Sequence, residues 1–97
     1  TATTSAGVVK PNYIIMMFDQ PVTSSSALPP IKKQVTTDAN GLAYFDLNSM
    51  ITSTTPTTYY FEAFVSNGSG GYTWKSVTHY QANLAKGTMA TSSIIVN

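Results

Sequence analysis

Residues 36–47, Thr-Thr-Asp-Ala-Asn-Gly-Leu-Ala-Tyr-Phe-Asp-Leu, restrict the fold more than any other stretch of the chain. They read as the end of one strand, a tight turn at Asn40-Gly41 and a returning strand with alternating apolar residues. Asn and Gly both tolerate positive φ, which the primed turns joining paired strands require. Alternation puts Ala43, Phe45 and Leu47 on one face and Leu42, Tyr44 and Asp46 on the other, and the first set is predicted to point inward. Such a hairpin implies an all-β domain. It names no chemistry.

Other segments repeat the strand signal. Tyr13 to Phe18 is a continuous apolar run bounded by Pro11-Asn12 and Asp19-Gln20-Pro21, as expected of a strand covered on both faces, with Met16 and Met17 filling core gaps. Ile31 to Thr37 alternates like an exposed or edge strand. Thr57 to Val65 is the clearest long strand, with Tyr59, Phe61, Ala63 and Val65 on one face and Tyr60, Glu62 and Phe64 on the other. The Gly-rich stretch 66–71 connects it to a second predicted strand, Tyr72 to Tyr80. Residues 23–30 and 81–87 read as loops, residues 48–51 as a single helical or 3₁₀ turn, and 88–96 as a closing strand. Residues 1–7 read as a linker or a frayed first strand, with Val8-Val9 beginning to pair before Pro11. Six or seven strands with frequent turn signals predict a single domain over 1–97, an all-β two-sheet antiparallel sandwich, prealbumin-like or Ig-like.

Composition narrows function more than fold. The 97 residues include only 9% charged side chains, against about 25% in ordinary domains, and Ser and Thr make up about a quarter of the chain. Five Lys, no Arg and a net charge of +1 provide no electrostatic footprint for nucleic acid or anionic membranes. The adjacent Lys32 and Lys33 read as solvent-facing edge residues that deter strand addition. Without Cys there is neither a disulfide framework nor a thiolate metal site. No long apolar run predicts membrane insertion by this segment. A start at Thr1 reads as a processed product or a piece of something longer. The Thr- and Ser-rich, charge-poor composition suggests an exported bacterial domain.

The order of elements resembles a known family. An apolar strand, a Pro-containing loop, a strand ending in Thr36-Thr37-Asp38-Ala39-Asn40-Gly41, alternating Ala43, Phe45 and Leu47, a short loop, and a strand with Tyr59-Tyr60 and Ala63 are similar to the transthyretin-like, or carboxypeptidase-regulatory-like, β-sandwich domains. Other immunoglobulin-like modules of bacterial surface or secreted proteins share the likeness. It covers roughly Tyr13 to Val65, just over half the chain. The resemblance implies structural roles: Asp38 bonding turn amides, Gly41 supplying a special backbone angle, and Phe45 plugging the core. Two departures, the missing Gly-x-Val opening before Tyr13 and the Gly-rich hairpin with Trp74, leave a fibronectin-type-III-like strand order open as well. Such folds host many unrelated activities.

Candidate chemistry is sparse. His79 is the one conventional neutral-pH base, and its plain reading is a lone surface or groove histidine. Paired carboxylates would have to come from Asp19, Asp38, Asp46 and Glu62, with Asp46 and Glu62 meeting on an outward face as a polar cross-strand pair. Asp38-Ala39-Asn40-Gly41 superficially matches the start of a calcium loop but lacks the further oxygen ligands. No cofactor is expected. Asn67-Gly68-Ser69 matches the N-glycosylation triplet, which matters only in a eukaryotic secretory setting. The most specific binding possibility is carbohydrate, with Tyr72, Trp74 and Tyr80 expected on one strand face beside Tyr60, stacking on sugar rings; the competing role for these rings is core packing. The sequence therefore predicts a non-catalytic accessory module, a spacer, stabiliser or interaction platform beside other domains of a larger exported or cell-surface protein. A carbohydrate-binding module contacting polysaccharide is the alternative, and an enzyme centred on His79 beside Glu62 or Asp46 is a third.

Overall fold

A computed structural model describes residues 1–23, 28–47, 51–87 and 93–97. Among them lie seven strands: β1 (Ala2–Thr3), β2 (Ile14–Phe18), β3 (Lys33–Thr36), β4 (Thr57–Ser66), β5 (Tyr72–Trp74), β6 (Tyr80–Leu84) and β7 (Ile94–Ile95). No helix occurs among the described residues, and none is long and apolar enough to cross a membrane. The chain is all-β, as the alternating pattern predicts.

β4 organises the main sheet. One edge pairs antiparallel with β2, placing Ile15 opposite Ala63 and Met17 opposite Phe61. The other edge receives β5 at its C-terminal end and β6 at its N-terminal end. β3 pairs on the far side of β2, completing an antiparallel sheet of five strands. The two central strands carry apolar residues on both faces. Ile15, Met17, Phe61, Ala63 and Leu84 form one core, and Met16, Phe18 and Phe64, with Val22 from the following loop, form the other. Phe18, Phe64, Met16 and Met17 are the largest fully buried side chains, each worth about 1.5–3 kcal/mol of burial. The Met pair is core filling, one residue to each face.

A smaller layer closes the first core. β1 and β7 run parallel, pairing Ala2 with Ile94 and Thr3 with Ile95, and bridges Thr3–Val9 and Ser76–Val96 extend the pair. Ala2, Ile94 and Val96 are buried against the main sheet, so Ala2 belongs to the core while Ser5, Ala6 and Gly7 are exposed. This second sheet is parallel where an antiparallel one was predicted. Its strands are far apart in sequence, so no hairpin connection dictates their relative direction.

Three local expectations change. First, the turn after β3 is not primed. Gly41 N–H donates to Asp38 O at 2.9 Å and Asp38 N–H to Leu42 O at 2.9 Å, while among residues 39–41 only Gly41 has positive φ, at 73°. This is a type I turn followed by a left-handed glycine, the three-residue hairpin loop. Asp38 Oδ1 accepts the N–H groups of Asn40 and Leu42 at 2.8 and 3.1 Å. A Cβ on Gly41 would lie 2.7 Å from Ala2 O.

Second, residues 42–47 form no strand. Gly41 O accepts the Ala2 N–H at 2.8 Å, which draws the chain toward β1 and off the edge of β3. The alternation nevertheless survives in burial: Ala43, Phe45 and Leu47 are half-buried against the core while Leu42, Tyr44 and Asp46 are exposed. An extended segment laid across a sheet face keeps a period of two without ladder bonds. Phe45 meets Phe61 edge to face, with centroids 5.3 Å apart.

Third, residues 72–80 are not one strand, and 81–84 are not loop. The chain leaves β4 after Trp74 and returns at Tyr80. Across the gap, Lys75 N–H donates to Ala63 O at 2.8 Å and Ser76 Oγ accepts the Ala63 N–H at 2.7 Å. Ile95 O accepts from Val77 and Thr78, and Thr78 Oγ1 accepts the Ile95 N–H. The excursion is thus a long bulge that crosses to the smaller layer. The expected turn at 48–51 lies largely outside the described residues, as do residues 24–27 of the 23–30 loop and residues 88–92 of the closing strand; Ile51 N–H does donate to Leu47 O at 2.8 Å.

Candidate functional site: the Glu62–His79–Trp74 cluster

The even positions of β4 turn Tyr60, Glu62 and Phe64 toward the core of Met16 and Phe18. Glu62 is the exception on this face, a carboxylate only 2% exposed. A buried carboxylate is costly unless hydrogen-bonded, and two side chains meet that need. Trp74, opposite Phe64 on β5, donates its indole N–H to Oε1 at 2.7 Å. His79, returned by the bulge, places Nδ1 2.9 Å from Oε1 and 2.8 Å from Oε2. A carboxylate accepts and does not donate, so the imidazole proton is assigned to Nδ1. The His79 ring tilts against Trp74 with centroids 5.5 Å apart, and its side chain stays 59% exposed.

Of the four residues expected to form an aromatic platform, the fold assembles three. Tyr60, Tyr72 and Trp74 are half-buried along one face, around the core of Met16, Phe18 and Phe64. Tyr80 lies on the opposite face. It begins β6 opposite Phe61 and packs on that ring at 5.4 Å. Because the strand breaks at the bulge, the alternation of Tyr72 and Trp74 does not carry through to Tyr80. The same break returns His79 to Trp74's face rather than the opposite one.

Comparison with protein-family models, curated proteins and solved structures gives no match.

The chemistry of the cluster follows from its partners. A carboxylate orienting an imidazole is half of a hydrolytic triad, and the other half is a nucleophile at the second ring nitrogen. The two hydroxyls of the bulge serve as backbone acceptors: Ser76 Oγ accepts the Ala63 N–H and Thr78 Oγ1 the Ile95 N–H. Among the described residues no three of His, Cys, Asp and Glu gather into a metal-binding group. Asp46 sits on an exposed position of the segment that packs over the opposite core, so the expected outward pairing of Asp46 with Glu62 does not form. Lys33 Nζ bonds Asp46 O at 2.8 Å, and Lys32 pairs with Asp19 at 3.3 Å on the surface.

The sequence marked His79 beside Glu62 as the feature to examine and missed the depth of Glu62 and the part of Trp74. One signal was present. Glu62 is the one charged residue in a run, Tyr59 to Val65, that is otherwise apolar and aromatic on both faces, where an unpartnered outward carboxylate is improbable.

Proposed function

We propose that the chain is a non-catalytic accessory module of an exported or cell-surface bacterial protein, with a transthyretin-like or immunoglobulin-like sandwich as its architecture. It acts as a spacer, stabiliser or interaction platform beside other domains. The observation that carries this reading is the Glu62 cluster. The Glu62 carboxylate is bonded to both the His79 imidazole and the Trp74 indole, and the neighbouring hydroxyls hold backbone amides, so the arrangement works as a cross-link joining β4, β5 and the bulge. The low charge and the turn chemistry around Asp38 and Gly41 support the same reading. Assays of the purified chain against ester, peptide, glycoside and phosphate substrates test it. The expected result is no turnover, with His79→Ala lowering stability. Turnover abolished by His79→Ala overturns it.

A carbohydrate-binding module is the second reading, favoured by Tyr60, Tyr72 and Trp74 on one face with the exposed His79 ring against the indole. The half-buried indole provides the readout. Polysaccharide titrations that shift Trp74 emission, with the shift lost in Tyr72→Ala, support this reading; blank titrations and pull-downs remove it.

A further inference from the structure

The chain contains two Asn-Gly pairs, Asn40-Gly41 and Asn67-Gly68, and the fold places them in opposite circumstances. In such a pair the glycine nitrogen, unshielded by a side chain, can attack the side-chain amide carbon of the preceding Asn. At the first pair that nitrogen is locked. Gly41 N–H donates to Asp38 O at 2.9 Å, Gly41 O accepts from Ala2 N–H at 2.8 Å, and the residue is buried. Ring closure there requires dismantling the turn and its contact with β1.

The second pair lies in the exposed hairpin between β4 and β5. An added Cβ on Gly68 would meet nothing within 4 Å, and the Gly68 N–H makes only a long contact, 3.4 Å to Ser66 Oγ. The side chain before it is held in place. Asn67 Oδ1 accepts the Ser69 N–H at 2.9 Å and the Gly71 N–H at 3.2 Å, while Asn67 N–H donates to Gly71 O at 3.1 Å. Two backbone donors therefore converge on the oxygen that becomes negative when the amide carbon is attacked.

The geometry points to Asn67 as a site of self-catalysed deamidation. Gly68 N gives its proton to water or hydroxide and bonds to Asn67 Cγ. The resulting oxyanion at Oδ1 is held by Ser69 and Gly71, and Nδ2 leaves as ammonia after taking up a proton. The five-membered succinimide then adds one water at either carbonyl carbon. Breaking the Cγ–N bond leaves an ordinary aspartyl residue in place of Asn67, and breaking the backbone bond leaves an isoaspartyl one. The net change is one water consumed and one ammonia released, with no oxidant or cofactor. One added carboxylate takes the formal net charge from +1 to zero, and the isoaspartyl product inserts a methylene into the main chain of the hairpin.

The test is incubation of the purified chain in mildly alkaline buffer, with peptide mapping for the amide-to-acid mass change and isoaspartyl methyltransferase labelling. In the folded chain Asn67 converts about tenfold or more faster than Asn40, a modest share of what oxyanion donors contribute in dry sites. In urea the Asn67 rate falls and the two rates converge. Gly71→Ala, whose Cβ would lie 2.9 Å from Asn67 Nδ2, and Ser69→Pro, which lacks the N–H, each slow Asn67 several-fold. Equal native rates at the two sites, a native rate at Asn67 no higher than in urea, or indifference to both substitutions overturns the proposal.

Discussion

His79 Nδ1 lies within 2.9 Å of both oxygens of Glu62, so an exposed imidazole closes over a carboxylate that is itself buried. Removing His79 leaves the Glu62 carboxylate in a poorly solvated place, whereas removing Glu62 frees an imidazole that is already 59% exposed to water. His79→Ala is expected to cost about 1–3 kcal/mol by stripping a donor from a buried carboxylate, and Glu62→Ala about 1–2 kcal/mol by orphaning the Trp74 N–H. Urea unfolding of both single variants and the double variant should give a coupling of about 1 kcal/mol or more. Strict additivity would mean that the pair is not a cross-link.

Two glycines with left-handed backbones provide a matched comparison. Gly41→Ala forces a Cβ to 2.7 Å from Ala2 O at φ 73°, whereas Gly68→Ala meets open space at φ 82°. Both substitutions carry the backbone penalty of about 1–2 kcal/mol. Only Gly41→Ala adds the clash with β1, so its total should reach about 3 kcal/mol or more. Equal losses in thermal or urea denaturation would mean that the approach of Ala2 is not tight in solution.

Asp38 tests the turn. Its Oδ1 accepts two backbone amides, so Asp38→Ala should cost about 1–2 kcal/mol, as with other caps of free N–H groups. Asp38→Asn keeps an acceptor oxygen in place and should lose only a few tenths of that range. If both variants unfold at the same urea concentration as the parent, the side-chain bonds are not part of the turn's stability.

The segment after the turn has no ladder, and its role is separable by its two faces. Phe45→Ala removes the edge-to-face contact with Phe61 and should cost about 2–3 kcal/mol, below the usual range for a fully buried Phe because Phe45 is only half-buried. Tyr44 is 79% exposed, so Tyr44→Ala should fall within about 0.5 kcal/mol of the parent. A larger loss from Tyr44 than from Phe45 would reverse the assigned faces.

Much of the sheet was readable from the residues alone. Ile14–Phe18, Lys33–Thr36 and Thr57–Ser66 fall within or almost on the predicted strands, and the two faces of β4 divide as its alternation requires. These features are local. Alternation follows from backbone geometry, and turn residues act over four or five positions. The candidate site was only half legible. His79 and Glu62 were named as possible neighbours, but nothing in the spacing of residues 72–80 tells that the strand breaks there, because the break depends on Ile95 arriving from the far end to accept the N–H groups of Val77 and Thr78.

By itself, then, the order of residues determined the all-β class, the central strands and which side chains of residues 42–47 face inward. Only the tertiary structure decided that this segment runs without a strand partner, that Tyr80 lies across the sheet from Trp74, and that Glu62 is buried beneath His79. Periodicity is a property of neighbouring residues, whereas hydrogen-bond partners and burial depend on which distant segments compete for the same edge or face.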